Sequence, residues 1–107
     1  MALNYGWEKL YVALRTALVR KGPVQERLAI VILEVSLLRE EDIEDADLWG
    51  RLQKFKSETT KIAGRPGEGS IHATTSQMDD EEAGRWLKEA FDIFSAVAQA
   101  YGKSKAS

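Results

Sequence analysis

Residues 28–38 read Leu-Ala-Ile-Val-Ile-Leu-Glu-Val-Ser-Leu-Leu, the most apolar stretch of the chain. On a helix that advances about 100° per residue, one face collects the apolar side chains Val24, Leu28, Val31, Ile32, Val35 and Leu38. Ile30, Leu33 and Leu37 fall on roughly the opposite face. A helix with two apolar faces must be covered all round or keep one face for a partner chain. The stretch therefore predicts a central helix.

The composition predicts a single helical domain over residues 1–107. Apolar residues make up 44% of the chain and charged residues 30%, which are values typical of globular proteins. The chain has no cysteine, which excludes disulfides and thiolate metal sites. The run 28–33 is too short to span a bilayer and no secretion signal is visible, so we expect a soluble, cytoplasmic protein with no membrane partner.

Helix signals around this centre predict an all-α fold, a mostly antiparallel four-helix bundle with helices at about 5–21, 23–39, 43–63 and 79–101. Asn4 starts the first helix, and Gly22-Pro23 separates it from the second. Asp42 or Asp45 caps the third. Asp79 begins the fourth with Glu82 as its capping-box partner, and Gly102 ends it before a frayed tail at 103–107.

Residues 64–78 show no helical periodicity and are predicted to be a long loop, in which 70–75 can form a short extended piece. Such a loop is either a turn-rich connector or a recognition segment that orders on a partner, and its candidate contact residues are Arg65, Glu68, Ile71 and His72. His72 lacks a recognisable nucleophile and orienting acid. Acids at the start of the next helix argue against phosphate binding.

The second apolar face of the central helix, formed by Ile30, Leu33 and Leu37, is the strongest candidate interface. Ile71 and Met78 of the loop can cover it within the monomer. A second copy of the chain can cover it instead, through a contact in which both copies use the same surface. The sequence leaves both arrangements open and slightly favours the dimer.

A candidate basic strip lies on the predicted third helix and comprises Arg51, Lys54, Lys56 and Lys61. Basic residues on an outer helix face usually serve solubility. The net charge of −2 also argues against a dedicated nucleic-acid binder, for which a strongly basic domain is expected. The strip therefore supports only an alternative function, an accessory protein that associates with nucleic acid.

No spacing in the sequence fits a catalytic, cofactor or metal site. The acidic run 40–47 lacks the pattern of a calcium loop, and no Glu-x-x-His pair is present. The leading hypothesis is a small interaction or assembly protein without catalytic activity, homo-oligomeric or bound to another protein. The nucleic-acid accessory protein is the alternative, and an enzyme whose site forms across a dimer is the third.

Overall fold

A computed structural model describes residues 2–64, 66 and 68–106, with the side chains of 2–4 and 104–106 excepted. These residues form an all-helical fold without strands. The helices are α1 (Ala2–Val19), α2 (Val24–Val35), α3 (Glu40–Ile43), α4 (Ala46–Thr59), α5 (Ser70–Thr75) and α6 (Asp80–Ala106). The described chain thus has six helices where the sequence predicted four.

The turn between α1 and α2 lies at the predicted Gly22-Pro23 pair. Gly22 has a φ of 127°, which favours glycine, and Pro23 is extended, with φ −60° and ψ 150°. The predicted bounds of 5–21 differ at both ends, since α1 includes Asn4 and ends at Val19. The helix therefore ends a full three residues before Gly22.

Helix α2 is shorter than its predicted range of 23–39. It ends at Val35, and the hydroxyl of Ser36 donates a 2.7 Å hydrogen bond to the carbonyl oxygen of Ile32. Hydroxyls that bond to the preceding turn compete with helix continuation. The predicted core face is confirmed, because Leu28, Val31, Ile32, Val35 and Leu38 are buried and Val24 packs against them.

The predicted helix 43–63 is replaced by two helices. The amide of Arg39 donates to Asp42 Oδ2 at 2.9 Å, which stabilises the single turn of α3. Glu44 then takes a left-handed conformation, with φ 57°, and separates α3 from α4. Asp45 caps α4 by accepting from the amide of Leu48 at 3.0 Å, which confirms one of the two predicted caps.

Residues 64–78 are not the irregular loop that was predicted, because 70–75 form helix α5 rather than an extended piece. The hydroxyl of Thr74 is buried and accepts a 3.0 Å bond from the amide of Ile62. Gln25 on α2 donates to the carbonyl oxygen of Met78 at 3.1 Å. These polar contacts fix the segment against α2 and α4, and the apolar pattern of the sequence gives no sign of them.

Helix α6 begins as predicted and ends later than predicted. The amide of Glu82 donates to Asp79 Oδ1 at 2.8 Å, which confirms Asp79 as the cap. The helix continues through Gly102 to Ala106, so the predicted end at Gly102 and the frayed tail are wrong over the described residues. A glycine in a helix costs only about 1 kcal/mol, which does not by itself end it.

The core lies where α2 packs against α1, α4, α5 and α6. α1 and α6 run antiparallel, since Trp7 lies beside Tyr101 and Tyr11 beside Phe94. The largest side chains that are fully buried are Phe55, Leu10, Leu28, Ile32, Ile43, Leu52 and Ile93.

Candidate functional site

A groove of about 530 Å³ opens between the C-terminal half of α1 and the middle of α6. We call it the apolar groove. Its apolar side chains are Tyr11, Leu14, Ala17, Leu18, Val19, Leu87, Phe91 and Phe94. Ligand pockets in proteins are typically clefts of this size with mostly apolar walls. The apolar groove is therefore the first place to expect a bound group.

In the C-terminal half of α1, which borders the groove, the residues buried most deeply are small. Ala13 and Ala17 are buried against the core, whereas Leu18 is 80% exposed. On α6, Ile93 is fully buried and Phe91 remains 56% exposed. Small residues in the contact bring the helix backbones close together and leave the large side chains at the edges of the contact, where they form the walls.

A row of aromatic rings leads along the α1–α6 seam into the groove. Trp7 stacks on Tyr11 with ring centres 5.4 Å apart, and Trp7 is also 5.7 Å from Tyr101. Phe94 lies 6.3 Å from Tyr11 and 6.2 Å from Phe91. Aromatic contacts of this kind add about 0.5–1.5 kcal/mol each beyond area burial. The row therefore holds one wall of the groove in a fixed arrangement.

The charged side chains that line the groove are both arginines, Arg15 and Arg27, and no acidic residue lines it. Neither guanidinium forms an ion pair with any described residue. The Nε of Arg27 is buried and has no hydrogen-bond acceptor. Such an unmet donor costs about 1–3 kcal/mol. The groove thus combines apolar walls with two arginine side chains that have no acidic partner among the described residues.

The outward face of α2 and the turn that follows it carry the predicted interface residues. Leu33 and Leu37 are each 57% exposed, and Ile30 is half-buried. Ile30 lies beside His72 and Met78 in a shallow depression between α2 and α5. The sequence left open whether residues 64–78 or a second copy of the chain cover this face. Residues 64–78 cover it only near Ile30, and Leu33 and Leu37 are exposed to solvent.

The candidate recognition residues of the segment 64–78 are dispersed. Arg65 lies outside the described residues. Glu68 Oε2 is 3.9 Å from His72 Nε2, whose side chain is 70% exposed. Ile71 packs against the core. His72 therefore lies at the surface beside one carboxylate, and the hydroxyl of Thr75 donates to its backbone carbonyl oxygen rather than to its ring.

The candidate basic strip is interleaved with acids from α6. Arg51 pairs with Glu89 at 3.1 Å. Lys54 and Lys61 line a depression that also holds Glu58 and Glu82. A third lysine of the strip, Lys56, is half-buried. Alternating charges of this kind do not form the continuous positive surface that phosphate backbones require.

Among the described residues, no group of histidine, aspartate and glutamate side chains is placed to hold a metal ion. In that same part of the chain, none of the helices combines the length and apolarity that a bilayer crossing requires. Comparison of the chain with protein-family models, with curated proteins and with solved structures gave no match.

The apolar pattern of the sequence does not reveal the groove, because Tyr11, Leu14 and Leu18 recur at the spacings of three and four residues that are typical of a packed helix face. Their spacing is that of a core stripe, and the buried alanines at 13 and 17 lie at its edge. One signal was available. Phe91 lies off the α6 seam, and an aromatic residue off the seam indicates an exposed apolar surface.

Proposed function

We propose that this chain is an assembly protein that works as a homodimer, with the outward face of α2 packed against the same face of a second copy. The observation that carries the proposal is the 57% exposure of two leucines, Leu33 on α2 and Leu37 in the turn just after α2, on the side opposite the buried face of the helix. Paired exposed leucines next to a half-buried isoleucine form an apolar ridge, which gains stability when a partner excludes water from it.

Charge supports a second copy as the occupant of this ridge. A two-fold contact centred near Ile30 pairs the helices antiparallel. Lys21, just before α2, then approaches Glu40, just after α2, in the other copy, and the reverse pair forms as well. Both side chains are exposed, and neither has an ion pair within the described residues. The two ends of the ridge therefore carry opposite charges that a second copy can pair, whereas the same arrangement places Glu26 opposite Glu34 near its middle.

The dimer should be of moderate strength. Full burial of a fully exposed leucine or isoleucine is worth about 1.5–3 kcal/mol. Leu33 and Leu37 are 57% exposed and Ile30 is half-buried, so each gains only part of that value in each copy. Association costs about 4–15 kcal/mol in lost translation and rotation. We therefore expect a dissociation constant of roughly micromolar order, which requires measurement across a range of protein concentrations.

Light scattering on the wild type and on Leu33→Glu tests the proposal. The wild type should have the mass of a dimer at high concentration, and Leu33→Glu should be a monomer with unchanged helical circular dichroism. Val12→Glu is the matched control, because Val12 is 52% exposed on α1 and lies outside the ridge. A wild type that stays monomeric at every concentration, or a control variant that dissociates equally, contradicts the proposal.

Charge reversal tests the antiparallel arrangement separately. Lys21→Glu and Glu40→Lys should each weaken the dimer, because each places like charges opposite one another in both symmetry-related pairs. The double variant should recover most of the lost affinity, since it restores opposite charges. If the double variant recovers no dimer affinity, the pairing of Lys21 with Glu40 is rejected. The apolar ridge is tested independently by Leu33→Glu.

A further inference from the structure

We propose that the apolar groove binds an amphipathic carboxylate, an anion with an unbranched alkyl body of medium length. This site is separate from the α2 ridge and goes beyond the dimer proposed above. The groove lies between α1 and α6, and of α2 only Arg27 lines it. The inference rests on the shape of the groove and on the charges at its wall.

The walls of the groove fit an alkyl chain. Its lining extends along α1 from Tyr11 to Val19, which is about 12 Å at the helical rise of 1.5 Å per residue. Phe91 and Leu18 are largely exposed at the rim, so an apolar chain laid between them removes both from water. A body of this length corresponds to decanoate.

The two arginines in the wall of the groove fit a carboxylate. Arg15 and Arg27 line the groove without an acidic neighbour in it, and the Nε of Arg27 lacks an acceptor. A guanidinium presents a planar fork of donors that matches the two oxygens of a carboxylate. Near an apolar wall the attraction is stronger than in water. A cation would be repelled, and an uncharged ligand would leave both arginines unpaired.

Calorimetric titration of the full chain with decanoate, and with decan-1-ol as the uncharged analogue, tests the inference. We expect one decanoate per chain and an affinity at least about tenfold higher than that for decan-1-ol. This comparison uses the wild type alone, so it does not depend on how any variant folds. Equal affinity for the two ligands, or no binding of decanoate, overturns the inference.

Variants locate the carboxylate. Arg27→Gln should weaken decanoate binding by about tenfold to a hundredfold and leave decan-1-ol binding unchanged. Arg85→Gln, at an exposed arginine of α6 outside the groove, is the matched control and should bind as the wild type does. A folded Arg27→Gln variant with wild-type affinity for decanoate rejects the assigned site. Leu33→Glu should bind decanoate with the affinity of the wild type. The dimer proposal and the decanoate proposal can therefore fail independently of each other.

Discussion

Replacement of Gly6 by alanine tests the close contact between α1 and the single turn of α3. A methyl carbon built at Gly6 overlaps the carbonyl oxygen of Asp42 and lies 3.3 Å from Ile43 Cδ1. The obstacle is backbone, and the α3 backbone is held by the bond from the Arg39 amide to the Asp42 carboxylate. The methyl group can therefore be accommodated only if α1 and α3 move apart.

The magnitude follows from two opposing terms. Overpacking of this kind costs about 1–3 kcal/mol. Exchange of glycine for alanine inside a helix raises the free energy of unfolding by about 1 kcal/mol, because the unfolded chain loses backbone entropy. We expect a net loss of up to about 2 kcal/mol in the free energy of unfolding for Gly6→Ala, which is about 1–3 kcal/mol less favourable than the same exchange at an unobstructed helical glycine.

Two other helical glycines provide controls with the opposite expected sign. Gly50 on α4 and Gly84 on α6 have no neighbouring atom within 4 Å of an added methyl carbon. Alanine at either position should therefore stabilise the protein by about 1 kcal/mol. The difference between Gly6→Ala and these controls isolates the steric cost.

Urea unfolding followed by circular dichroism measures all three variants, at one protein concentration because the proposed dimer would make stability depend on concentration. The reasoning fails if Gly6→Ala is stabilised as much as Gly50→Ala. In that case α3 does not lie against the first turns of α1.

Three further predictions concern the core and the polar contacts. Phe55→Ala should lower the free energy of unfolding by about 3–5 kcal/mol, because the ring is 1% exposed, and a loss below 1 kcal/mol in urea unfolding would contradict its burial. Thr74→Val removes the acceptor of the Ile62 amide, so we expect a loss of about 1–3 kcal/mol and faster hydrogen exchange at that amide; unchanged exchange would show that the bond is absent. Asp45→Ala should cost about 1 kcal/mol by removing the cap on the Leu48 amide, whereas Asp45→Asn should retain most of the stability.

The sequence predicted the central element of the fold because its signal is strong and local. The main face of α2 has regular apolar spacing, and the residues of that face from Leu28 to Leu38 are buried as expected. The caps at Asp45 and Asp79 were also predictable, since capping depends on one side chain and one amide nearby in sequence.

The remaining differences arise from contacts between residues distant in sequence. Helix α5 contains Thr74, whose hydroxyl accepts from Ile62, and such a polar contact leaves no periodic pattern. The walls of the apolar groove depend on how far α1 approaches the core through Ala13 and Ala17. Periodicity assigns side chains to a face of a helix, but packing decides which edge of that face stays exposed.

The aromatic row gives the molecule an optical probe next to the apolar groove. Trp7 stacks on Tyr11, which is itself part of the groove wall, while another indole, Trp86, lies edge-on to Phe55 at the contact of α4 with α6. Emission from Trp7 should therefore change when the groove is occupied, and emission from Trp86 should change only when α4 separates from α6. Variants that keep only Trp7 or only Trp86 would therefore report ligand binding in the groove and separation of α4 from α6 as two distinct fluorescence signals, without an attached dye.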